Sequence, residues 1–287
     1  MGSRISVVMI SHNRRPAVVQ TLAHLTALPE QPPVLLVDNG STDGTGEAVR
    51  AAFPQVQMLR QERNLGAVGR NVGVAAAETP YVAFADDDSW WAPGALDRAV
   101  AHFDATPSMA VLAGRILVGP DQRLDPVCEL MRHSPLPRDP ELPGPQVLGF
   151  VACGAVVRRR AFLDVGGFSP VIGFLGEEDV LSQDLRAAGW SLVYADDVVA
   201  HHHPASDGPR TGRARLQKRN ALLSVWLRRP WPVVLGRTAR AATRVTDADE
   251  RGALADALRR LPFAVRDRQV LPDHVEAEVR LLERAGR

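Results

Sequence analysis

The chain has 287 residues, 45% hydrophobic and 23% charged, with a formal net charge of +1. This length and balance suit one large α/β domain or two fused lobes with a core of useful size, and argue against disorder. The near-neutral total gives no global attraction to nucleic acid, and Cys128 and Cys153 stand in no CxxC pattern that could cage zinc.

The opening MGSRISVVMISHNRR lacks the layout of a signal peptide, and no stretch approaches the roughly 18 apolar residues of a spanning helix. A cytoplasmic, reducing location is expected. Residues 5–10 form a β-branched apolar run, as a buried parallel strand does. Residues 15–28 read as a helix, with Val18, Val19, Leu22 and Leu25 at helical spacing and Pro16 near its start. A second strand, 34–37, ends in the polar turn DNGSTDGT, followed by a helix at 46–53. A short strand at 56–60, a small-residue helix at 69–77, a strand at 81–85 and a helix at 95–104 complete a repeating β-α order. That order predicts a mainly parallel sheet with helices on both faces.

Residues 111–118 read as a strand. Residues 120–145 contain seven prolines and read as a loop over the sheet edge or a cleft. A strand at 149–157, a helix near 160–165, a helix at 179–188 stopped by Gly189, and two short strands at 192–195 and 198–202 follow. Residues 208–244 carry ten Lys or Arg and no Asp or Glu, and read as helical. Residues 248–261 and 273–285 are further helix candidates. Three segments are expected: 1–110, 111–207 and a basic helical extension, 208–287.

The sharpest local feature is FADDDSWW, residues 84–91, where an apolar strand ends in Asp86, Asp87 and Asp88. Three adjacent carboxylates repel unless a cation is present, and the ends of parallel strands are where such sheets bind ligands. The alternative is an acidic loop capping the next helix. Glu177, Glu178 and Asp179 cluster at a helix start, either to complement its dipole or to supply a general base. His201, His202 and His203 follow a strand, so alternation puts His201 and His203 on one face and His202 on the other. They are either structural or metal ligands. The turn at Asp38 and Asn39 can hold a base or ribose, or serve simply as a turn. No GxGxxG or GxxxxGK[ST] phosphate loop is present.

Together these segments resemble the family 2 glycosyltransferases of the GT-A fold. The similarity runs from Ile5 to Ser206 through VVMISHNRR, LLVDNGSTDGT, RNLGAVGRNVGVAAA, FADDDSWWAP, GGFSPVIGFLGEEDVLSQDLRAAGW and VVAHHHPAS, in the family's order. The resemblance implies a Rossmann-like GT-A sheet followed by the helical extension. It implies a nucleotide-diphosphate-sugar donor and Mg²⁺ or Mn²⁺. Ser11, Asn13, Arg14, Asp38, Asn39 and Asn64 would lie on the nucleotide side, with Arg70 near the sugar or diphosphate. Asp86 would reach the ribose or the metal shell, with Asp87 beside it. Asp88 would bind the metal, with His201 as a further contact and His203 in reserve. Asp179 would be the base of an inverting displacement, with Glu178 as the alternative.

Two departures from the family pattern stand out. Leu181 occupies a position that is acidic in many relatives, and no QxxRW follows, which argues against a processive synthase. A sugar-phosphate nucleotidyltransferase would need a phosphate loop that SHNRRP is not. A nucleotide-sugar sensor or inactive paralogue is the non-enzymatic rival. The acceptor class is open and includes a lipid-linked saccharide. Residues 219–231 place Leu222, Leu223, Trp226 and Leu227 on one helical face between basic residues, either to lie on an anionic membrane or to pack on the catalytic domain.

Overall fold

A computed structural model describes residues 2–204, 212–244 and 246–286. The segment limit at residue 207, and Ser206 itself, lie outside the described residues. The first half alternates as the sequence predicts: β1 (Ile5–Ser11), α1 (Arg15–Thr26), β2 (Val34–Asp38), α2 (Thr45–Ala52), β3 (Gln57–Arg60), α3 (Gly69–Ala76), β4 (Tyr81–Ala85), β5 (Ser89–Trp91) and α4 (Ala95–Ala105). Then come β6 (Met109–Val118), β7 (Arg123–Leu124), α5 (Pro126–Arg132), β8 (Ala155–Arg158), α6 (Arg159–Asp164), α7 (Glu177–Ala187) and β9 (Ser191–His202). The extension consists of α8 (Arg213–Arg228), α9 (Trp231–Thr243), α10 (Ala248–Arg259), α11 (Leu261–Arg266) and α12 (Asp273–Ala285).

The described residues build one nine-stranded sheet in the order β3-β2-β1-β4-β8-β6-β9-β5, with β7 paired to β6. β3, β2, β1 and β4 run parallel. β8 runs antiparallel to both β4 and β6, and β9 returns parallel to β6. β1, β2 and β4 are buried along their whole lengths, which is why they read as unbroken apolar runs. Alternate residues feed two cores: Val7, Met9, Leu36 and Ala83 face Leu22, Leu25 and Phe103, while Val8, Leu35, Val37 and Phe84 face Val74, Phe162 and Phe168.

Three details differ from the sequence expectation. The strand expected at 149–157 is only β8, preceded by a single 3-10 turn at 152–154. The proline-rich segment contains α5, started by Asp125, whose side chain accepts from the Val127 N–H, with Pro126 in the first turn. The two short strands expected at 192–202 are one strand. β9 bulges where Gly114 pairs with Ala195 but Arg115 pairs with Val199. A side chain at Gly114 would collide with the Val198 carbonyl, its Cβ only 2.5 Å from that oxygen, so the bulge needs a glycine opposite it.

The stripe on α8 is core. Leu222, Leu223, Trp226 and Leu227 are buried against Val171, Ile172 and Val180. At roughly 1.5–3 kcal/mol per buried large apolar side chain, this packing decides against these four as a membrane face.

Candidate active site

The chemistry-bearing residues gather at the C-terminal edge of the parallel strands. There the ends of β1 and β2 stand in register, Ser11 opposite Asp38. Asp38 is fully buried. Its Oδ1 accepts from the Ser41 N–H at 2.9 Å, and its Oδ2 is enclosed without a hydrogen bond. A buried carboxylate oxygen left in that state is costly unless a donor arrives. Asn13 takes a left-handed conformation, φ 54°, which lets its Oδ1 accept from the Thr42 N–H at 2.8 Å. The Asn13 N–H donates to Ser41 Oγ at 3.0 Å. These bonds zip the loop after β1 to the turn after β2. Asn39 donates from Nδ2 to the Gly66 carbonyl at 3.0 Å and lies so tightly on Gly69 that a Cβ there would clash. Asn64 is exposed and caps its own turn, accepting from the Gly66 N–H at 2.8 Å.

The three aspartates after β4 diverge. Asp86 pairs with Arg70. Asp87 turns back toward β1, accepting from Ser11 Oγ at 3.0 Å with Arg14 3.7 Å away. Burial, and then the neighbouring Asp88 charge, push the Asp87 carboxyl up to about 6. Asp88 lies 3.5 Å from His202 Nε2 and 3.9 Å from Arg14. Burial works to lower the His202 pKa, but the hydrogen bond and charge of Asp88 outweigh it and raise it.

The alternation of the histidines is as predicted, but the face toward Asp88 is the other one. β5 pairs antiparallel with β9, Ser89 opposite His202, which brings His202 to Asp88. His201 and His203, the residues expected at the ion, instead stack or tilt against Trp90, with ring centroids 5.7 and 4.6 Å away. His24 stacks on the same indole at 4.1 Å. Among the described residues, no three His, Cys, Asp or Glu side chains form a ready-made cage for an ion. Asp88 and His202 offer one carboxylate and one imidazole. That donor set fits Mg²⁺ or Mn²⁺ held by a few protein ligands and completed by substrate phosphate oxygens.

Arg70 is buried, flanked by the Phe84 and Phe168 rings, and paired with both Asp86 and Glu177. Arg70, expected near the sugar or diphosphate, is thus enclosed by protein, 2% exposed. Glu177, read from sequence as one of a cluster that either complements the helix dipole or supplies a general base, is buried too, and burial raises its pKa. Glu178 accepts from the Ala152 N–H at 3.4 Å, and burial followed by the Glu177 charge pushes its carboxyl up to about 8. Asp179 reaches solvent at the start of α7, flanked by Gly149 and Gly176, while crowding by protein raises its pKa. Leu181 is part of the core under the sheet. Cys153 is free and buried close enough to feel the Asp86 and Asp88 charges. The side chains that the structure brings to this cluster and the sequence reading did not single out are His202, beside Asp88, and Glu177, beside Arg70. β5 would have revealed the first, by fixing the phase of β9.

Residues 6–166 match the family described as glycosyl transferase family 2. The chain is 32% identical over 248 residues to an N-acetylglucosaminyl-diphospho-decaprenol L-rhamnosyltransferase of Mycobacterium tuberculosis, covering 74% of this chain and 79% of that protein. It is 33% identical over 178 residues to a pre-mycofactocin glycosyltransferase of the same organism, covering 59% and 37%. In fold it is similar to a mannosyltransferase of Pyrobaculum calidifontis solved with GDP-Man and Mn²⁺, with TM-score 0.58 and 18% identity over 98% of this chain and 86% of that one. It is similar in the same way to TarS of S. aureus in complex with UDP-GlcNAc, with TM-score 0.59 and 15% identity over 96% and 83%.

Proposed function

The chain belongs to glycosyl transferase family 2 and is a glycosyltransferase, and from that premise we propose that it moves a sugar from a nucleoside-diphosphate-sugar donor to an acceptor hydroxyl with inversion. The observation that carries this reading is the convergence of Asp38, Asp86, Asp87, Asp88 and His202 on the strand ends, with Glu178 and Asp179 at the start of α7. The mannosyltransferase and TarS were solved with nucleotide sugars, which supports that donor class.

In this reading the free Oδ2 of Asp38 accepts from the base, and Ser11, Asn13, Asn39 and Asn64 border it. Arg14 sits beside Asp87 and Asp88, where a guanidinium can meet a diphosphate. Asp88 and His202 would hold Mg²⁺ or Mn²⁺, with Asp86 behind them. A cation bound there supplies charge neutralisation on the departing nucleoside diphosphate. Asp179, open to solvent, takes the proton from the acceptor hydroxyl as its oxygen attacks the anomeric carbon. Glu178, protonated well into the neutral range, is the less ready base. Segment 1–110 then serves the donor, 111–207 the acceptor, and 208–287 is the extension.

The acceptor we propose is a lipid-linked saccharide, because the rhamnosyltransferase that spans most of this chain is named for one. The test is a panel of nucleotide sugars with a diphosphate-linked polyprenyl saccharide, read by released nucleoside diphosphate and by the anomeric configuration of the product. Release with inversion is the expected result. Nucleotide binding without turnover on any donor would make the chain a sensor instead.

A further inference from the structure

Residues 173–176, immediately before α7, hold a conformation that their own sequence does not favour. Gly173, Leu175 and Gly176 all take left-handed backbone, with φ 81°, 69° and 86°. Glycine reaches that region freely, whereas a leucine does not. Among the described residues four non-glycine residues have positive φ, and Leu175 is the apolar one of the four. A conformation of this kind persists only where its surroundings over-determine it.

The turn is gripped from two sides. On one side lies the nucleotide side of the site, where Asn39 holds the Gly66 carbonyl. The Ala67 N–H donates to the Gly173 carbonyl at 2.9 Å. Gly66 itself is packed on the turn, since a Cβ there would stand 3.0 Å from the Gly173 carbonyl oxygen and 3.4 Å from the Phe174 Cβ. On the other side lies α8 of the extension. Asn220, 2% exposed, donates from Nδ2 to the Phe174 and Leu175 carbonyls at 2.6 and 2.7 Å. Its Oδ1 accepts from Arg219 Nε at 2.9 Å, which fixes the way the amide faces. Arg219 Nη2 also donates to the Ile172 carbonyl at 3.0 Å. Both donors of the Asn220 amide are therefore spent on this turn.

We propose that Asn220 is a positioning residue for sugar transfer: by holding the 173–176 turn, it sets the distance between the nucleotide side and the carboxylates at the start of α7. This rests on the reading that Asp179 or Glu178 serves the acceptor hydroxyl. Asn220 is buried, so it acts through the turn and not on a substrate. The turn runs directly into Glu177, Glu178 and Asp179, and its other edge lies on Gly66 and Ala67, so a shift of the turn is a shift of the base relative to the donor. The extension thereby completes the acceptor side, from a helix that itself carries none of the carboxylates.

The test uses the full chain. Asn220→Asp keeps an oxygen for Arg219 and removes the donors to the turn, and Asn220→Ala removes both. Deuterium uptake over residues 170–179 should quicken at least about tenfold in each. Transfer to the diphosphate-linked polyprenyl saccharide should lose about 100-fold in kcat, the cost of misplacing reacting groups by about 1 Å. Donor KM, and the affinity for UDP or GDP with Mn²⁺ by calorimetry, should stay within about twofold, because the nucleotide contacts lie on the other side of the turn. Leu175→Gly in the Asn220→Ala background should return at least about fivefold of the lost kcat, because glycine takes φ 69° without help. Equal losses in transfer, nucleotide affinity and urea midpoint, with no recovery by Leu175→Gly, overturn the proposal by making Asn220 a general support of the fold. Unchanged uptake and unchanged transfer overturn it as well, and if Asp179→Asn or Glu178→Gln still abolishes transfer, the reading of α7 survives that failure. If the turn loosens but only donor KM rises, the reading of α7 as the acceptor side fails and takes the proposal with it.

Discussion

Arg70 Nη1 and Glu177 Oε1 lie 3.6 Å apart beneath the site, tying the start of α3 to the start of α7. Arg70 also holds Asp86, so one buried cation joins the carboxylate after β4 to the helix that carries Glu178 and Asp179. Removing it leaves the buried Glu177 carboxyl, and the half-buried Asp86, without their cation. Arg70→Met should destabilise the fold by about 3–5 kcal/mol, read by urea denaturation. Glu177→Gln should cost less, because Asp86 still pairs with Arg70. An Arg70 that served mainly to touch the diphosphate would instead raise donor KM and leave the urea midpoint alone.

Glu178 makes stability depend on pH. Its carboxyl rises from an ordinary 4.5 to about 8 in the fold. The folded protein therefore holds a proton that the unfolded chain gives up, and this contribution is complete below about 4.5 and lost as pH rises through about 8. Glu178→Gln should flatten the decline in melting temperature across that window. A decline of unchanged steepness would mean that Glu178 is not its source.

Asp179→Asn should cut transfer by roughly 100- to 10,000-fold, the usual worth of a general base, while nucleotide affinity by calorimetry stays within experimental error. Loss of donor binding alongside transfer would put Asp179 on the donor side instead.

The histidines can be separated by metal affinity without any turnover. His202→Ala should weaken Mn²⁺ binding in the presence of nucleoside diphosphate by at least about tenfold, whereas His201→Ala should leave it nearly unchanged. Electron paramagnetic resonance of the bound ion reads this directly. The reverse order would return the role to His201 and its partner His203.

Trp226 is enclosed, with Nε1 donating to Thr238 Oγ1 at 2.8 Å. Trp226→Ala should cost about 3–5 kcal/mol in denaturant unfolding. A change that left the midpoint alone would contradict its place in the core.

The first half of the fold was legible because β1, β2 and β4 are buried on both faces and so spell themselves as apolar runs. β5 was not, because Ser89, Trp90 and Trp91 after three aspartates read like a loop, and its pairing exists only through β9. β9 itself looked like two strands because Asp196 and Asp197 interrupt it at the bulge. α5 was masked by six surrounding prolines, although Asp125 followed by Pro126 is a helix-start signature. The site was legible in its carboxylates, whose residue types and order are local. It was not legible in His202 and Glu177, whose roles depend on strand phase and on which side chains become buried together.

The bulge in β9 gives the site an adjustable frame. Asp196, Asp197 and Val198 are the residues of β9 skipped as the pairing passes from Gly114 to Arg115. Because side chains alternate in a strand, losing one residue there would rotate every later position to the opposite face. His202 would exchange places with its neighbours without any change of a side chain near the aspartates. Single-residue insertions and deletions in this short stretch are therefore a route by which a chain of this architecture could diverge in what it binds while keeping its sheet.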